Sequence, residues 1–230
     1  MNLDQITPAQ IAPYIQHTKI QANATGTEMA VHIKQASDFG FNAAMVPGSW
    51  VSLAKSILSG TGITIASALD FPTVGVMTSA GKAAEAAELV RLGATEIDIG
   101  VQIGWLKSGM YREFHDDIAG VVKAAGVPIK VMLELPLLTE EEREIAVEIS
   151  MEAGAAFLKN ASSGQVETAN PESIKYLVDR VKDGVKVKAS GSIKSFTQAK
   201  SLIAAGASLL GTSAGIEIIS DTSTSFTKSY

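Results

Sequence analysis

Short β-branched or apolar runs alternate with longer helical patterns almost from end to end of this 230-residue chain. The short runs fall at 14–20, 43–46, 64–69, 96–101, 129–134, 156–159, 185–189 and 208–211, lengths that suit strands better than helices. Between them, apolar residues recur every three or four positions over 28–39, 79–92, 113–125, 140–153, 171–181 and 195–205, which predicts amphipathic helices. Thr139 precedes Glu140, Glu141 and Glu142, and Asn170 precedes Pro171 and Glu172. Each is a capping residue followed by an acidic first turn. Gly93, Gly154 and Gly206 follow helical stretches, where a left-handed end is needed. Eight strands in alternation with helices predict an α/β fold, a (β/α)8 TIM barrel. An open doubly wound sheet is disfavoured, because no GxGxxG follows any strand. No linker, low-complexity segment or charge run divides the chain, so a single domain over residues 1–230 is expected.

Composition narrows the function classes. A hydrophobic content of 46% with 19% charged residues suits a folded core, and a net charge of −5 argues against a general nucleic-acid surface. No run of 18 apolar residues predicts a membrane span, and the opening Met1-Asn2-Leu3-Asp4-Gln5 lacks the basic-then-apolar pattern of a secretory signal. The absence of cysteine excludes disulfides, thiolate metal sites and cysteine nucleophiles, and a cytoplasmic location is expected. His17, His32 and His115 are scattered without zinc-ligand spacing. No metal or other cofactor is expected.

Two lysines stand out against this background. Lys159 and Lys188 each interrupt an apolar run at a strand end, and each is followed by small polar residues and glycine. A charged lysine there is costly unless it serves a purpose. One reading is chemical: a desolvated lysine beside a second cation has a depressed pKa, and its free amine can attack a carbonyl to form a Schiff base. The other is that both stems lie on apolar surface while the ammonium reaches water. Active sites of such barrels lie at the C-terminal ends of the strands, which places the two lysines side by side on the catalytic face.

Asp98 lies on the fourth strand, and Lys130 and Glu134 share a parity on the fifth. Their convergence suggests proton-transfer work. The alternative for Asp98 and Lys130 is a buried ion pair that only neutralises the two lysines, and Glu134 could equally hold a lysine in orientation. Met45 and Trp50 read as packing and loop residues. Turns of small residues, Ser190-Gly191-Ser192 after strand seven and Gly211-Thr212-Ser213-Ala214-Gly215 after strand eight, occupy the positions where such barrels cradle phosphate with backbone N–H groups.

Five segments carry a family resemblance: FLKNASSG, VKASGSI, EIDIGVQIGWLKSG, IKVMLE and AGASLLGTSAG. From about Ile15 to Ile218 the chain resembles deoxyribose-phosphate aldolase, a class I Schiff-base aldolase. The resemblance implies reversible cleavage of 2-deoxy-D-ribose 5-phosphate to D-glyceraldehyde 3-phosphate and acetaldehyde. Lys159 would form the Schiff base, Lys188 would lower its pKa, and Asp98 would be the acid/base. Lys130 and Thr18 would support them. Gly164, Gly191, Ser192, Thr212 and Ser213 would bind phosphate, and the terminal Tyr230 would assist proton transfer as in some relatives. The partners implied are a phosphorylated sugar and an aldehyde, with a homo-oligomer possible because relatives are often dimers.

Two departures from the family pattern bear on substrate choice. Gln16-His17-Thr18 replaces an acid-His-Thr or acid-Leu-Thr motif, and Met45-Val46-Pro47-Gly48 stands where a cysteine-bearing segment is usual. Loss of the strand-one acid leaves open another phosphorylated sugar as substrate. A catalytically silent barrel that binds a phosphorylated metabolite is a further alternative.

Overall fold

A computed structural model describes residues 6–220. Eight parallel strands close into a barrel in chain order: β1 (Ile15–Thr18), β2 (Ala43–Met45), β3 (Thr64–Leu69), β4 (Glu96–Gly100), β5 (Ile129–Met132), β6 (Phe157–Lys159), β7 (Lys186–Ser190) and β8 (Leu209–Thr212). Each strand pairs with the next, and β8 closes on β1 with Gln16 opposite Gly211. The longer helices that wrap it include Gly26–Asp38, Val51–Leu58, Ser79–Leu92, Tyr111–Ala125, Glu140–Glu152, Pro171–Val178 and Phe196–Ala204. Thr139 caps its helix by a reciprocal box with Glu142, and the Asn170 side chain accepts from Ser173 N ahead of Pro171.

The helix Val51–Leu58 lies outside the sequence expectation, and short helices also form at Ile103–Lys107 and Gly215–Ser220. β5 stops two residues earlier than expected. Glu134 takes a left-handed conformation (φ 51°), and the chain leaves the ladder for a 3-10 turn at Leu135–Leu137. No helix among the described residues is long and apolar enough to cross a membrane.

Strand alternation separates two interiors. Outward residues such as Ala44, Val46, Ile97, Ile99, Val131, Leu158, Val187 and Leu210 pack against the helices in one continuous apolar layer. A strand covered on both faces is expected in a parallel sheet, but here only the outer face is consistently apolar. Inward, Ala43, Met45 and Ala66 form a small cluster on one side of the lumen. Opposite them the lumen carries charge, with Asp98 in register with Lys130 and Lys159 with Lys188.

A second buried charge cluster fixes the loop after β3. Asp70 adopts φ 54°, and its carboxylate accepts the N–H groups of Gly75 (3.0 Å), Val76 (3.0 Å) and Met77 (3.1 Å). The buried Lys82 lies 3.1 Å from Asp70 Oδ2 and donates to Asp117 Oδ2 at 2.6 Å and Gly100 O at 2.8 Å. β4 can approach this closely because Gly100 has no side chain; a Cβ there would sit 2.3 Å from Asp70 O. The anchored loop begins with Phe71. Lys82→Ala would leave two buried carboxylates without their cation, a loss of about 3–5 kcal/mol for such broken pairs. A clear drop in the urea midpoint of this variant is expected. An unchanged midpoint would show that the cluster does not hold the loop.

Candidate active site

The inward positions of β4 to β7 build the site one residue at a time. Asp98 is fully buried, and its Oδ2 accepts from Lys188 Nζ at 2.6 Å and Lys159 Nζ at 3.1 Å. Lys130 Nζ lies beneath them, 3.4 Å from Asp98 Oδ1 and 2.6 Å from Glu96 Oε2, as an ion pair without the alignment of a hydrogen bond. Three lysines therefore converge on one aspartate. Burial alone would push the Asp98 carboxyl up, but the ammonium groups of Lys188, Lys159 and Lys130 outweigh it. They hold it well below the usual carboxylate range, so Asp98 is an anion at neutral pH.

Lys188 is more deeply set than Lys159, with side-chain exposures of 1% and 7%. Burial lowers its pKa, and Lys159 and Lys130 add to the lowering against the opposing pull of Asp98, bringing it to about 7. The reading from sequence assigns the lowering to Lys159; the structure displays it on the deeper member of the pair. Both amines sit on one carboxylate oxygen, and the charge of Lys159 is among the causes that lower Lys188.

Above these groups a cavity of about 280 Å³ opens at the C-terminal ends of the strands. Asp98, Lys159 and Lys188 line it together with Thr18, Met45, Phe71 and Met132. Lys159 Nζ also lies 3.5 Å from Met132 Sδ. Gly164, Gly191, Ser192, Thr212 and Ser213 line another part of the same cavity. Here the chain is tightly folded: a Cβ on Gly164 would lie 2.0 Å from Ser192 Oγ, and one on Gly191 would lie 2.0 Å from Glu167 O. Ser192 adopts φ 49°. The Thr212 hydroxyl is committed to the loops, donating to Ile193 O at 2.6 Å and accepting from Ala214 N at 2.9 Å. Likewise Thr18 Oγ1 donates to Gln16 O.

Several lining residues escaped sequence reading. Lys194 follows the strand-seven turn and adds an exposed cation to the cavity wall beside Ser192. Its place directly after that turn was the available signal. Ser190, by contrast, belongs to the turn that the sequence marks for phosphate; it lines the cavity, and its Oγ is buried without a hydrogen-bond partner among the described residues. Met45, read from sequence as packing, is part of the wall.

Other expectations change place. Glu134 accepts the N–H of Ser162 at 2.8 Å and orients that loop rather than a lysine. Gln16 is fully buried beneath the cavity, outside its lining, and accepts from Lys188 Nζ at 2.6 Å. Tyr230 lies outside the described residues. No group of three or more His, Asp or Glu that could hold a metal ion occurs among the described residues.

A (β/α)8 barrel with paired buried amines on one carboxylate, at the floor of a cavity edged by glycine turns, defines an enzyme site suited to amine–carbonyl chemistry. A curated deoxyribose-phosphate aldolase from Methanothermobacter thermautotrophicus is 42% identical over 220 residues, covering 95% of this chain and 97% of that one. Another from Thermosynechococcus vestitus is 39% identical over 209 residues, covering 91% and 95%. Among solved structures, the tetrameric deoxyribose phosphate aldolase from Aeropyrum pernix superposes with a TM-score of 0.86 at 29% identity, covering 96% of this chain and 95% of that one. No family model matches the chain. The chain belongs to the deoxyribose-phosphate aldolase family.

The Lys188 shift has a consequence for stability. The folded chain releases this proton near pH 7, whereas the unfolded chain holds it to about 10.5. Between those values the unfolded state binds more protons, so stability rises with pH. The urea midpoint of the wild type should climb relative to Lys188→Leu from pH 7 to 10. A constant difference across that window would show that Lys188 is not the titrating group.

Proposed function

We propose that this chain is a class I aldolase, reversibly cleaving 2-deoxy-D-ribose 5-phosphate to D-glyceraldehyde 3-phosphate and acetaldehyde. The observation that carries this reading is the pair of lysines on Asp98 Oδ2, the more exposed of which, Lys159, lines the cavity. Lys159, as the free amine, attacks the C1 carbonyl. Loss of water from the carbinolamine gives an iminium. The C3 hydroxyl then gives up its proton, the C2–C3 bond breaks, and its electron pair moves into the iminium to form an enamine. Protonation at C2 and hydrolysis release acetaldehyde and restore the amine.

Each group has a role set by its charge. Lys188, with a pKa of about 7, is a proton acceptor for the Lys159 ammonium across the shared carboxylate oxygen. Asp98 stabilises the iminium as a counter-charge. It can take part in proton transfer once Lys159 becomes neutral, because one of the cations that depress its pKa is then gone. Lys130 and Glu96 support this cluster from below. The phosphate of the substrate is held at the other end of the cavity by backbone around Gly164, Gly191, Ser192, Thr212 and Ser213, with Lys194 as the counter-charge.

Borohydride reduction in the presence of acetaldehyde, followed by peptide mass analysis, tests the covalent step. An adduct on the peptide that carries Lys159, absent from Lys159→Leu, is expected. Failure to trap any adduct would favour a silent binder.

The phosphate end is tested separately. Lys194→Ala should raise KM for the phosphorylated sugar about tenfold with kcat little changed, the scale of one lost charge-assisted contact. Its turnover of unphosphorylated 2-deoxyribose should match the wild type; an equal loss on both sugars would remove Lys194 from phosphate binding.

A further inference from the structure

β6 ends at Lys159, where the ladder with β7 stops at the Lys159–Lys188 pair. The next residue, Asn160, is fully buried, and its side-chain amide carries the pairing one step further. Asn160 Oδ1 accepts from Ser190 N at 2.9 Å, and Asn160 Nδ2 donates to Ser190 O at 3.0 Å and to Glu167 Oε2 at 2.6 Å. The amide thus stands in for a peptide group, matching the donor and the acceptor of the facing backbone. A reversed amide would set its oxygen against a carbonyl and a carboxylate, so the neighbours dictate the orientation.

Three pieces of chain meet at this amide. Ser190 leads directly into Gly191 and Ser192, the turn at the phosphate end of the cavity. Glu167 belongs to the segment against which that turn is pressed: a Cβ on Gly191 would lie 2.0 Å from Glu167 O, and Ala169 N donates to Gly191 O at 2.9 Å. The other oxygen of Glu167 accepts from Asn170 Nδ2 at 3.1 Å and from the Ser173 hydroxyl, which ties the segment to the start of the helix Pro171–Val178. The third piece is the end of β6 itself, with Lys159 one residue before Asn160. The turn therefore cannot shift relative to the Lys159 strand without breaking the bonds at Asn160.

We propose that Asn160 is a positioning residue for the phosphorylated substrate: it sets the Gly191–Ser192 turn at a fixed distance from the Lys159 amine, so that C1 of the sugar and the phosphate are seated together. This rests on the reading of Lys159 as the Schiff-base amine and of that turn as the phosphate end. A substrate bound at both ends has a fixed number of bonds between them, and a turn displaced by about 1 Å satisfies one end only at the expense of the other. A sugar without phosphate uses the amine end alone and is indifferent to where the turn lies. Loss of Asn160 should therefore separate two substrates that share the same chemistry, which a merely structural role does not predict.

The test is steady-state kinetics of the full chain on 2-deoxy-D-ribose 5-phosphate and on unphosphorylated 2-deoxyribose, with circular dichroism as the check on folding. Asn160→Ala should raise KM for the phosphorylated sugar about tenfold, with kcat/KM on the unphosphorylated sugar within about twofold of the wild type. Borohydride trapping of acetaldehyde should be unaffected. Asn160→Asp keeps an acceptor for Ser190 N but sets a carboxylate against Glu167, and it should show the same selective loss. An equal loss on both sugars in a folded variant, or an unchanged KM for the phosphorylated one, would overturn this proposal alone. Failure of both variants to fold would also overturn it, assigning Asn160 to the fold only. A wild type that does not prefer the phosphorylated sugar would overturn the phosphate reading of the turn, and this proposal with it.

Discussion

The contact between Asp98 and three lysines governs the interior of this barrel. Two charges leaving water lose more than their mutual attraction returns unless the geometry and remaining hydrogen bonds are good. Here the carboxylate meets Lys188 at 2.6 Å and Lys159 at 3.1 Å through one oxygen, with Lys130 beside the other. Barrel register brings them together, since Asp98 is paired with Lys130 across β4–β5, and Lys159 with Lys188 across β6–β7. Crowding three ammonium groups around one carboxylate is a poor choice for stability. It is a good choice for keeping an amine unprotonated.

Such a lumen is tolerable because stability is assigned elsewhere. The apolar layer between strands and helices runs around the barrel, with residues such as Ile97, Val131 and Leu158 fully buried in it. Each fully buried side chain of that kind contributes roughly 1.5–3 kcal/mol. The period-2 alternation of the strands then allows opposite demands on the two faces: hydrocarbon outside, chemistry inside. The Lys82 cluster serves a third purpose, fastening the loop that carries Phe71 to the cavity wall.

The architecture was largely legible because its signal is local and repeated. Eight apolar runs, their intervening helical periods and caps such as Thr139 and Asn170 each depend on neighbours close in the chain. Lys159, Lys188 and Asp98 could be singled out because charge inside an apolar run is conspicuous, and the strand-end rule then put the two lysines on one face. Less was visible for residues whose role depends on a change of direction. Glu134 shares the parity of Lys130, but its left-handed backbone turns it to the Ser162 N–H. Lys194 resembles any surface lysine until the turn at Ser192 brings it to the cavity. The helix Val51–Leu58 is only eight residues long, too short for its apolar period to stand out in the sequence.

The linear order of residues was enough to specify an alternating α/β chain, to mark the buried lysines and to carry the family resemblance, because periodicity, cost of burial and motif are properties of short segments. Which groups share a proton had to wait for the closed barrel. Gln16 and Lys188 are 172 positions apart, and Lys188 and Asp98 are 90 apart, yet each pair meets at 2.6 Å. Electrostatic coupling depends on through-space distance and on the exclusion of water, and neither exists until β8 closes against β1.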